Sequence, residues 1–201
     1  MSTWMWLIAG PNGAGKSSFA VNFIADLNHI NLIKLNADER TVQLREQFPF
    51  VSQDELNLKA AKEIDQAVFE CIEGGHSFVV ETVLSSEKYR DDVITAKEKG
   101  FKIGLIYVSL YPPELSPLRI QVRVAKGGHN VDHDKAIKRH RKSHEQLRWF
   151  ASMADTLFVF DNSGDPNHPV LVALRGEGKP LKYLAHGVNP AIDNALKDML
   201  P

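Results

Sequence analysis

The chain has 201 residues, of which 43% are hydrophobic and 24% are charged, and its net charge is −1. These values are ordinary for a globular protein and exclude a disordered chain, a fibrous repeat and a strongly basic nucleic-acid-binding protein. The one cysteine, Cys71, cannot form an internal disulfide. The early apolar run Trp4–Ala9 is far too short to span a membrane. We therefore predict a cytoplasmic protein without a membrane partner.

Apolar runs and helical periodicities alternate along the chain. Short apolar runs bounded by turn residues predict five strands, at Trp4–Ala9, Leu32–Leu35, Ser77–Val80, Ile103–Ser109 and Thr156–Phe160. Apolar residues at helical spacing predict helices at Ser17–Leu27, Asp54–Glu73, Glu87–Lys99 and Asp132–Met153. Between them we predict a polar stretch through Pro49 and an irregular segment from Pro112 that includes Arg119–Lys126. The tail from Val170 is predicted to form a hairpin and a last helix, Pro190–Leu200.

This alternation predicts an α/β fold with a central parallel β-sheet flanked by helices. The hairpin and last helix form a small C-terminal appendage in this prediction. No interdomain linker or internal repeat is visible, so residues 1–201 are expected to form a single domain with a core at about 4–163 and the appendage at about 164–201.

A phosphate-binding motif follows the first predicted strand and opens a predicted helix. Residues 10–17 match G-x-x-x-x-G-K-[ST] in full. Glycines allow backbone N–H groups to face phosphates, the lysine reaches the β and γ phosphates, and the serine hydroxyl ligates Mg²⁺. We therefore expect a nucleoside triphosphate site. Its predicted residues are Gly10, Pro11, Asn12, Gly13, Ala14, Gly15, Lys16, Ser17 and Ser18.

Polar residues follow three of the predicted strands, where ligands bind in a doubly wound sheet. Asp38 follows the second strand and either accepts the proton of a hydroxyl substrate or caps the next segment. Glu81 follows the third strand and either holds Mg²⁺ or a substrate hydroxyl, or is a solvated residue or an ion-pair partner of Lys16. Asn162 and its neighbours follow the fifth strand and either contact adenine or form an Asx turn.

A basic segment surrounds two adjacent glycines in the second half of the chain. Arg119 and Arg123 precede Gly127–Gly128, and they lie on one face if the segment is helical. The segment is either a solvated surface or a movable lid whose arginines stabilise a transferring phosphoryl group. Four histidines follow at helical spacing, but interleaved cations and the lack of the Glu of a zincin motif between His140 and His144 disfavour a metal site there. They are His129, His133, His140 and His144.

Together these segments resemble the zeta-toxin-like P-loop kinases. The resemblance covers about residues 4–163, and its motifs are GPNGAGKSS at 10–18, NADE at 36–39, ETVLSS at 81–86, RVAKGGHNV at 123–131, IKRHRKS at 137–143 and FDNS at 160–163. It implies a P-loop kinase that uses ATP or GTP with Mg²⁺ to phosphorylate a hydroxyl of a UDP-N-acetyl amino sugar. It also raises an antitoxin protein as a partner.

The resemblance assigns roles to individual residues. The phosphates would be bound by Lys16, Arg119 and Arg123. The catalytic carboxylate would be Asp38, and Mg²⁺ would be held by Ser17 and Glu81. The residues implied on the substrate side are Asn36, Asp38, Glu81, Thr82, His129 and Arg139.

Two other functions fit the same motifs. A kinase of a polynucleotide end or another nucleotide would use the basic stretch Lys135–Arg148, although the near-neutral charge and few nearby aromatic residues make nucleic acid the weaker candidate. A nucleotide-gated interaction module would bind ATP without phosphorylating an acceptor.

Overall fold

The computed structural model describes residues 2–19, 32–125, 128 and 130–199. The strands of these ranges are β1 (Trp4–Ala9), β2 (Ile33–Leu35), β3 (Phe78–Thr82), β4 (Lys102–Ser109), β5 (Thr156–Asp161), β6 (Val170–Arg175) and β7 (Lys182–Tyr183). The helices are α1 (Ala37–Gln47), α2 (Gln53–Gly74), α3 (Arg90–Glu98), α4 (Leu115–Ala125), α5 (His133–Met153) and α6 (Pro190–Leu196), with a helical turn at 16–19 and a 3₁₀ turn at Lys197–Met199. None of these helices is both long and apolar enough to cross a bilayer.

The strands form one sheet in the order β2-β3-β1-β4-β5-β6-β7. The first five strands run parallel, and β6 and β7 join one edge in antiparallel orientation. This arrangement confirms the predicted α/β fold and its central parallel sheet. The predicted C-terminal hairpin is β6 and β7, and it continues the sheet.

Strand β1 lies at the centre of the sheet and buries side chains on both faces. Met5 and Leu7 belong to the main core, which also contains residues of α2, α3, α5 and α6. Trp6 and Ile8 point to the other face and belong to a second cluster with Ala14. Because β1 is buried on both faces, its sequence is a continuous apolar run, as expected for a central parallel strand.

Two predictions about local structure are wrong. The predicted polar stretch contains helix α1, and the predicted irregular segment contains helix α4. Helix α1 buries only Thr41 and Leu44, so it shows no apolar periodicity. Helix α4 has Pro117 in its first turn, where proline is tolerated because the N–H groups there have no partner within the helix. Residues 20–27 of the predicted first helix lie outside the described ranges.

Capping residues define the ends of α2. Ser52 forms a capping box with Glu55, in which the Ser52 side chain accepts from the Glu55 N–H and the Glu55 side chain accepts from the Ser52 N–H. Gly75 ends the helix in the left-handed conformation, with φ of 65°. The N-terminal turn of α2 is thereby fixed beside the cavity described next.

Candidate active site

The phosphate loop occupies the turn between β1 and the helical turn at 16–19. Gly10 has a φ of 140°, and a Cβ atom there would lie 2.0 Å from the carbonyl oxygen of Val108 on β4. Gly13 has a φ of 78°, and a Cβ atom there would lie 2.9 Å from the carbonyl oxygen of Ser116 on α4. Only glycine fits these two positions, because both the backbone angle and the close neighbouring strand or helix exclude a side chain.

Lys16 is buried, with 8% of its surface exposed. Its Nζ donates a hydrogen bond to the carbonyl oxygen of Pro11 at 3.1 Å. Burial lowers the pKa of Lys16, while the nearby carboxylates of Glu81 and Asp38 oppose that shift. A buried amine of this kind at the start of a helix is well placed to bind phosphate oxygens.

Glu81 links the phosphate loop to the end of β2. Its Oε1 accepts a hydrogen bond from Ser17 Oγ at 2.9 Å, and its Oε2 accepts one from Asn36 Nδ2 at 2.9 Å. Burial raises the pKa of Glu81, and the charge of Lys16 and the Ser17 hydrogen bond act in the opposite direction. The structure therefore brings the two predicted Mg²⁺ ligands, Ser17 and Glu81, into contact.

This pair of oxygen ligands fits Mg²⁺, which prefers oxygen donors and is commonly held by one or two protein groups together with phosphates and water. Within the described ranges, no three His, Cys, Asp or Glu side chains come together as a larger metal cage. A hydroxyl and one carboxylate beside a phosphate loop match the smaller type of site.

Asn36 places Asp38 at the cavity. Its Oδ1 accepts hydrogen bonds from the backbone N–H groups of Asp38 at 2.9 Å and Glu39 at 3.3 Å, which caps the N-terminus of α1. The cap of α1 is thus Asn36 and not Asp38. Asn36 also donates to Glu81, so both ends of its amide have protein partners. The exposed Asp38 carboxylate lies in the first turn of α1, near Lys16.

The arginines approach the cavity in two different ways. Arg119 of α4 donates to the carbonyl oxygens of Ser163 at 3.3 Å and Gly164 at 3.0 Å. Arg123 of α4 and Arg139 of α5 both lower the pKa of Lys16 through their positive charge. Arg119 and Arg123 lie on one face of a helix, four residues apart, and both line the cavity with Arg139. His129, predicted beside them, lies outside the described ranges.

Asn162 holds the phosphate loop against β5. Its Nδ2 donates to the carbonyl oxygen of Ala14 at 2.8 Å, and its backbone N–H donates to the carbonyl oxygen of Ser109 at 2.9 Å. Asp161 accepts from the Ser163 N–H at 3.1 Å, so the predicted Asx turn is present. Contact between Asn162 and the nucleotide base stays a prediction.

A cavity of about 1910 Å³ is lined by these residues. Thr82 also lines it, and Thr82 Oγ1 accepts from the Leu84 N–H at 3.1 Å, which tightens the turn after β3. Lys135 of α5, from the predicted basic stretch, lines it as well. The cavity wall also contains residues that the sequence did not indicate, because they belong to no motif. They are Gln53, Asp54 and Asn57 of α2, and Lys88 and Tyr89 before α3.

His140 and His144 are buried and hydrogen-bonded within the protein. His140 Nε2 donates to the carbonyl oxygen of Leu110 at 2.6 Å. His144 Nδ1 donates to the carbonyl oxygen of His140 at 2.9 Å, so its Nε2 accepts from Ser109 Oγ at 2.7 Å. The two rings therefore join α5 to the carboxyl end of β4 and have a structural role.

A phosphate loop at the carboxyl end of a parallel strand, with a buried lysine facing a polar cavity, places the chain among the P-loop nucleotide-binding proteins. The family model described as "Zeta toxin" matches residues 3–167. The chain therefore belongs to the zeta toxin family, as the sequence motifs indicated.

Individual relatives extend this comparison. A protein of Haemophilus influenzae described as uncharacterized is 30% identical over 131 residues, which are 62% of this chain and 84% of the relative. The structure of AvrRxo1-ORF1:-ORF2 with ATP has a TM-score of 0.74 and 16% identity, and the match covers all of this chain. The chain spans only 64% of that AvrRxo1 chain.

The PezAT chromosomal toxin-antitoxin system of Streptococcus pneumoniae has a TM-score of 0.58 and 14% identity, over 85% of this chain and 70% of the other. At these identities, the likeness to the two structures shows a shared fold and nothing about activity or partners.

Proposed function

We propose that this protein transfers the γ-phosphoryl group of ATP or GTP, with Mg²⁺, to a hydroxyl group of a UDP-N-acetyl amino sugar. The observation that carries the proposal is the meeting of Lys16, the Ser17–Glu81 pair and Asp38 at one cavity. A phosphate-binding amine, a Mg²⁺ site and an exposed carboxylate are the groups that phosphoryl transfer to a hydroxyl requires.

The roles of these groups follow from their positions. Lys16, Arg123 and Arg139 bind and neutralise the γ-phosphate, and Arg119 holds the loop after β5. Bound Mg²⁺ supplies additional positive charge to the phosphate oxygens, and Ser17 and Glu81 would hold it. Asp38 accepts the hydroxyl proton while the hydroxyl oxygen bonds to the γ-phosphorus. The bond from that phosphorus to the β–γ bridging oxygen breaks, and the nucleoside diphosphate leaves.

Family membership supports the choice of a sugar nucleotide as acceptor. The size of the cavity is consistent with it, because about 1910 Å³ exceeds the roughly 300–1,000 Å³ of a typical single-ligand pocket. The polar residues Gln53, Asp54 and Asn57 of the cavity wall offer hydrogen-bond partners for sugar hydroxyls.

The first experiment uses Mg-ATP and a panel of acceptors headed by UDP-N-acetylglucosamine, with products identified by mass spectrometry. We expect Asp38→Asn to lower kcat by about 10²–10⁴-fold while retaining ATP binding, because only the proton acceptor is lost. Lys16→Ala should abolish both ATP binding and transfer. Asp91→Asn, an exposed carboxylate of α3 outside the cavity, is the matched control and should keep full activity.

Full activity of Asp38→Asn would remove Asp38 from its proposed role. If the protein phosphorylates a polynucleotide end and no sugar nucleotide, the proposed acceptor is rejected and the proposed kinase activity stands. ATP binding with no modified acceptor in a wide panel would reject phosphoryl transfer and favour a nucleotide-gated interaction module.

We further propose a protein antitoxin as the partner of this activity. The family supports it, and the similar PezAT structure is a toxin-antitoxin system. Expression in a bacterial host tests the need for such a partner: the native chain should arrest growth, and Asp38→Asn should not. Equal growth with both chains would contradict the proposal.

A further inference from the structure

Asn189 lies at the start of α6 and is fully buried. Its Oδ1 accepts from the backbone N–H groups of Ala191 at 3.0 Å and Ile192 at 3.3 Å, and so caps α6. Its Nδ2 donates to Ser109 Oγ at 2.9 Å and to Asp161 Oδ1 at 2.6 Å. One side-chain amide thus joins the C-terminal helix to the carboxyl ends of β4 and β5.

Asp161 connects Asn189 to the candidate nucleotide site through hydrogen bonds. Its Oδ1 also accepts from Ser163 Oγ at 2.7 Å, and its Oδ2 accepts from the Ser163 N–H. The carbonyl oxygen of Ser163 accepts from Arg119, and Asn162 between them bonds the carbonyl oxygen of Ala14 in the phosphate loop. The Asp161 side chain therefore helps to fix the loop at 161–163, together with the Tyr111 N–H bond to Ser163 Oγ and the Asn162 N–H bond to Ser109, and this loop holds both Arg119 and the phosphate loop.

The hydrogen bonds around Asn189 depend on one another, because each donor can serve only a limited number of acceptors. Ser109 Oγ accepts from Asn189 and donates to His144 Nε2, so it cannot also donate to Asp161. Asp161 is buried, with 4% of its surface exposed, so it relies on protein donors. Removal of the Asn189 amide leaves a buried carboxylate oxygen with one hydrogen bond fewer, which favours a shift of the loop.

We propose that Asn189 is a positioning residue for the nucleotide site, acting through Asp161 on the loop at 161–163. The inference rests on the proposed function, since it assigns Asn189 a role in nucleotide binding. Residue 189 lies beyond the 3–167 range matched to the family, so this role belongs to the C-terminal tail of this chain.

Substitutions at residue 189 separate capping from positioning. Asn189→Asp keeps a capping oxygen for α6, removes the amide donor and sets two carboxyl groups against each other. Asn189→Ser also keeps a capping oxygen and removes the amide without adding charge. Leu196→Ala is the control, because it weakens the packing of α6 through another fully buried side chain and leaves Asp161 untouched. Circular dichroism identifies a temperature at which every variant is folded, and the measurements are made at that temperature.

The first readout is the Kd for Mg-ATP, measured by titration calorimetry. We expect the Kd to rise about tenfold in Asn189→Asp and about threefold in Asn189→Ser, with Leu196→Ala within about twofold of the native protein. If Asn189→Asp does not fold, Asn189→Ser decides the comparison alone.

Hydrogen exchange of the Asn162 and Ser163 amides in the nucleotide-free protein gives the second readout. We expect exchange about tenfold faster in Asn189→Asp and unchanged in Leu196→Ala. A native-like Kd in folded Asn189 variants, or an equal loss in Leu196→Ala, would overturn the inference. If the native protein binds no Mg-ATP, the proposed function fails, and the exchange rates alone decide whether Asn189 positions the loop.

Discussion

At the residue scale, burial and neighbouring charge act against each other at the phosphate loop. Burial lowers the pKa of Lys16 and raises the pKa of Glu81, while each group favours the charged form of the other. In the proposed function, a triphosphate would bring negative charge to Lys16, and Mg²⁺ would bring positive charge to Glu81. The binding of both therefore favours the ionised pair, so nucleotide and metal should bind more tightly together than either does alone.

The buried His144 makes stability depend on pH. Burial lowers its pKa from about 6.5 to about 4, and burial also lowers the pKa of His140. Between pH 6.5 and 4 the unfolded chain binds more protons than the folded chain, so the free energy of unfolding falls as the pH is lowered through this range. The His144 contribution to that fall is about 3 kcal/mol.

Urea denaturation at pH 7, 5.5 and 4.5 measures this effect. His144→Gln removes the titrating ring, so its free energy of unfolding should fall less steeply over the same range. Because both proteins carry the same carboxylates, the difference between their pH slopes isolates His144. Parallel slopes would show that the ring does not contribute.

At the element scale, the success of sequence-based prediction depended on apolar patterning. Strand β1 and helices α2 and α5 bury many apolar side chains, so their runs and periodicities are visible in the sequence. Helix α1 lacks such a face and was missed. The place of Asp38 at the cavity was still predicted, because residues that follow parallel strands meet at one edge of the sheet.

The N-terminal turn of α2 provides a test of an element boundary. Ser52→Ala removes half of the capping box, so we expect the free energy of unfolding to fall by about 1 kcal/mol. The affinity for Mg-ATP should stay unchanged, because Ser52 does not contact the phosphate loop. Ser152→Ala is the control, since the Ser152 hydroxyl is exposed and bonds only a carbonyl oxygen of its own helix. Equal stability of both variants would reject the contribution of the cap.

At the scale of the whole molecule, the C-terminal hairpin and helix share the main core. Strand β6 pairs with β5, and five buried side chains of the tail lie in the main cluster. They are Val172, Ala173, Leu181, Ile192 and Leu196. The sequence predicted the hairpin and the helix, but it could not predict the Asn189 contacts, because Asn189 is 80 residues from Ser109 in the chain and 28 from Asp161.

Truncation tests this shared core. A chain ending at Asn167 loses all five buried side chains, and each of the four larger ones contributes up to roughly 1.5–3 kcal/mol. That loss is comparable with the whole stability of a typical domain, about 5–15 kcal/mol. We expect no cooperative thermal transition in this chain, whereas a chain ending at Leu196 should unfold cooperatively. A cooperative transition in the shorter chain would show that residues 164–201 form an independent appendage.

The helical hairpin of α1 and the first half of α2 has its own small core, formed by Leu44, Leu56 and Ala60 with Val51 packed against it. This cluster is separate from the main core, and the same hairpin supplies part of the wall of the cavity. Substitutions within this small cluster are therefore expected to reshape that wall and to leave the main core in place. Under the proposed function, descendants of such a protein could exchange one acceptor for another while inheriting the same machinery for using the nucleotide.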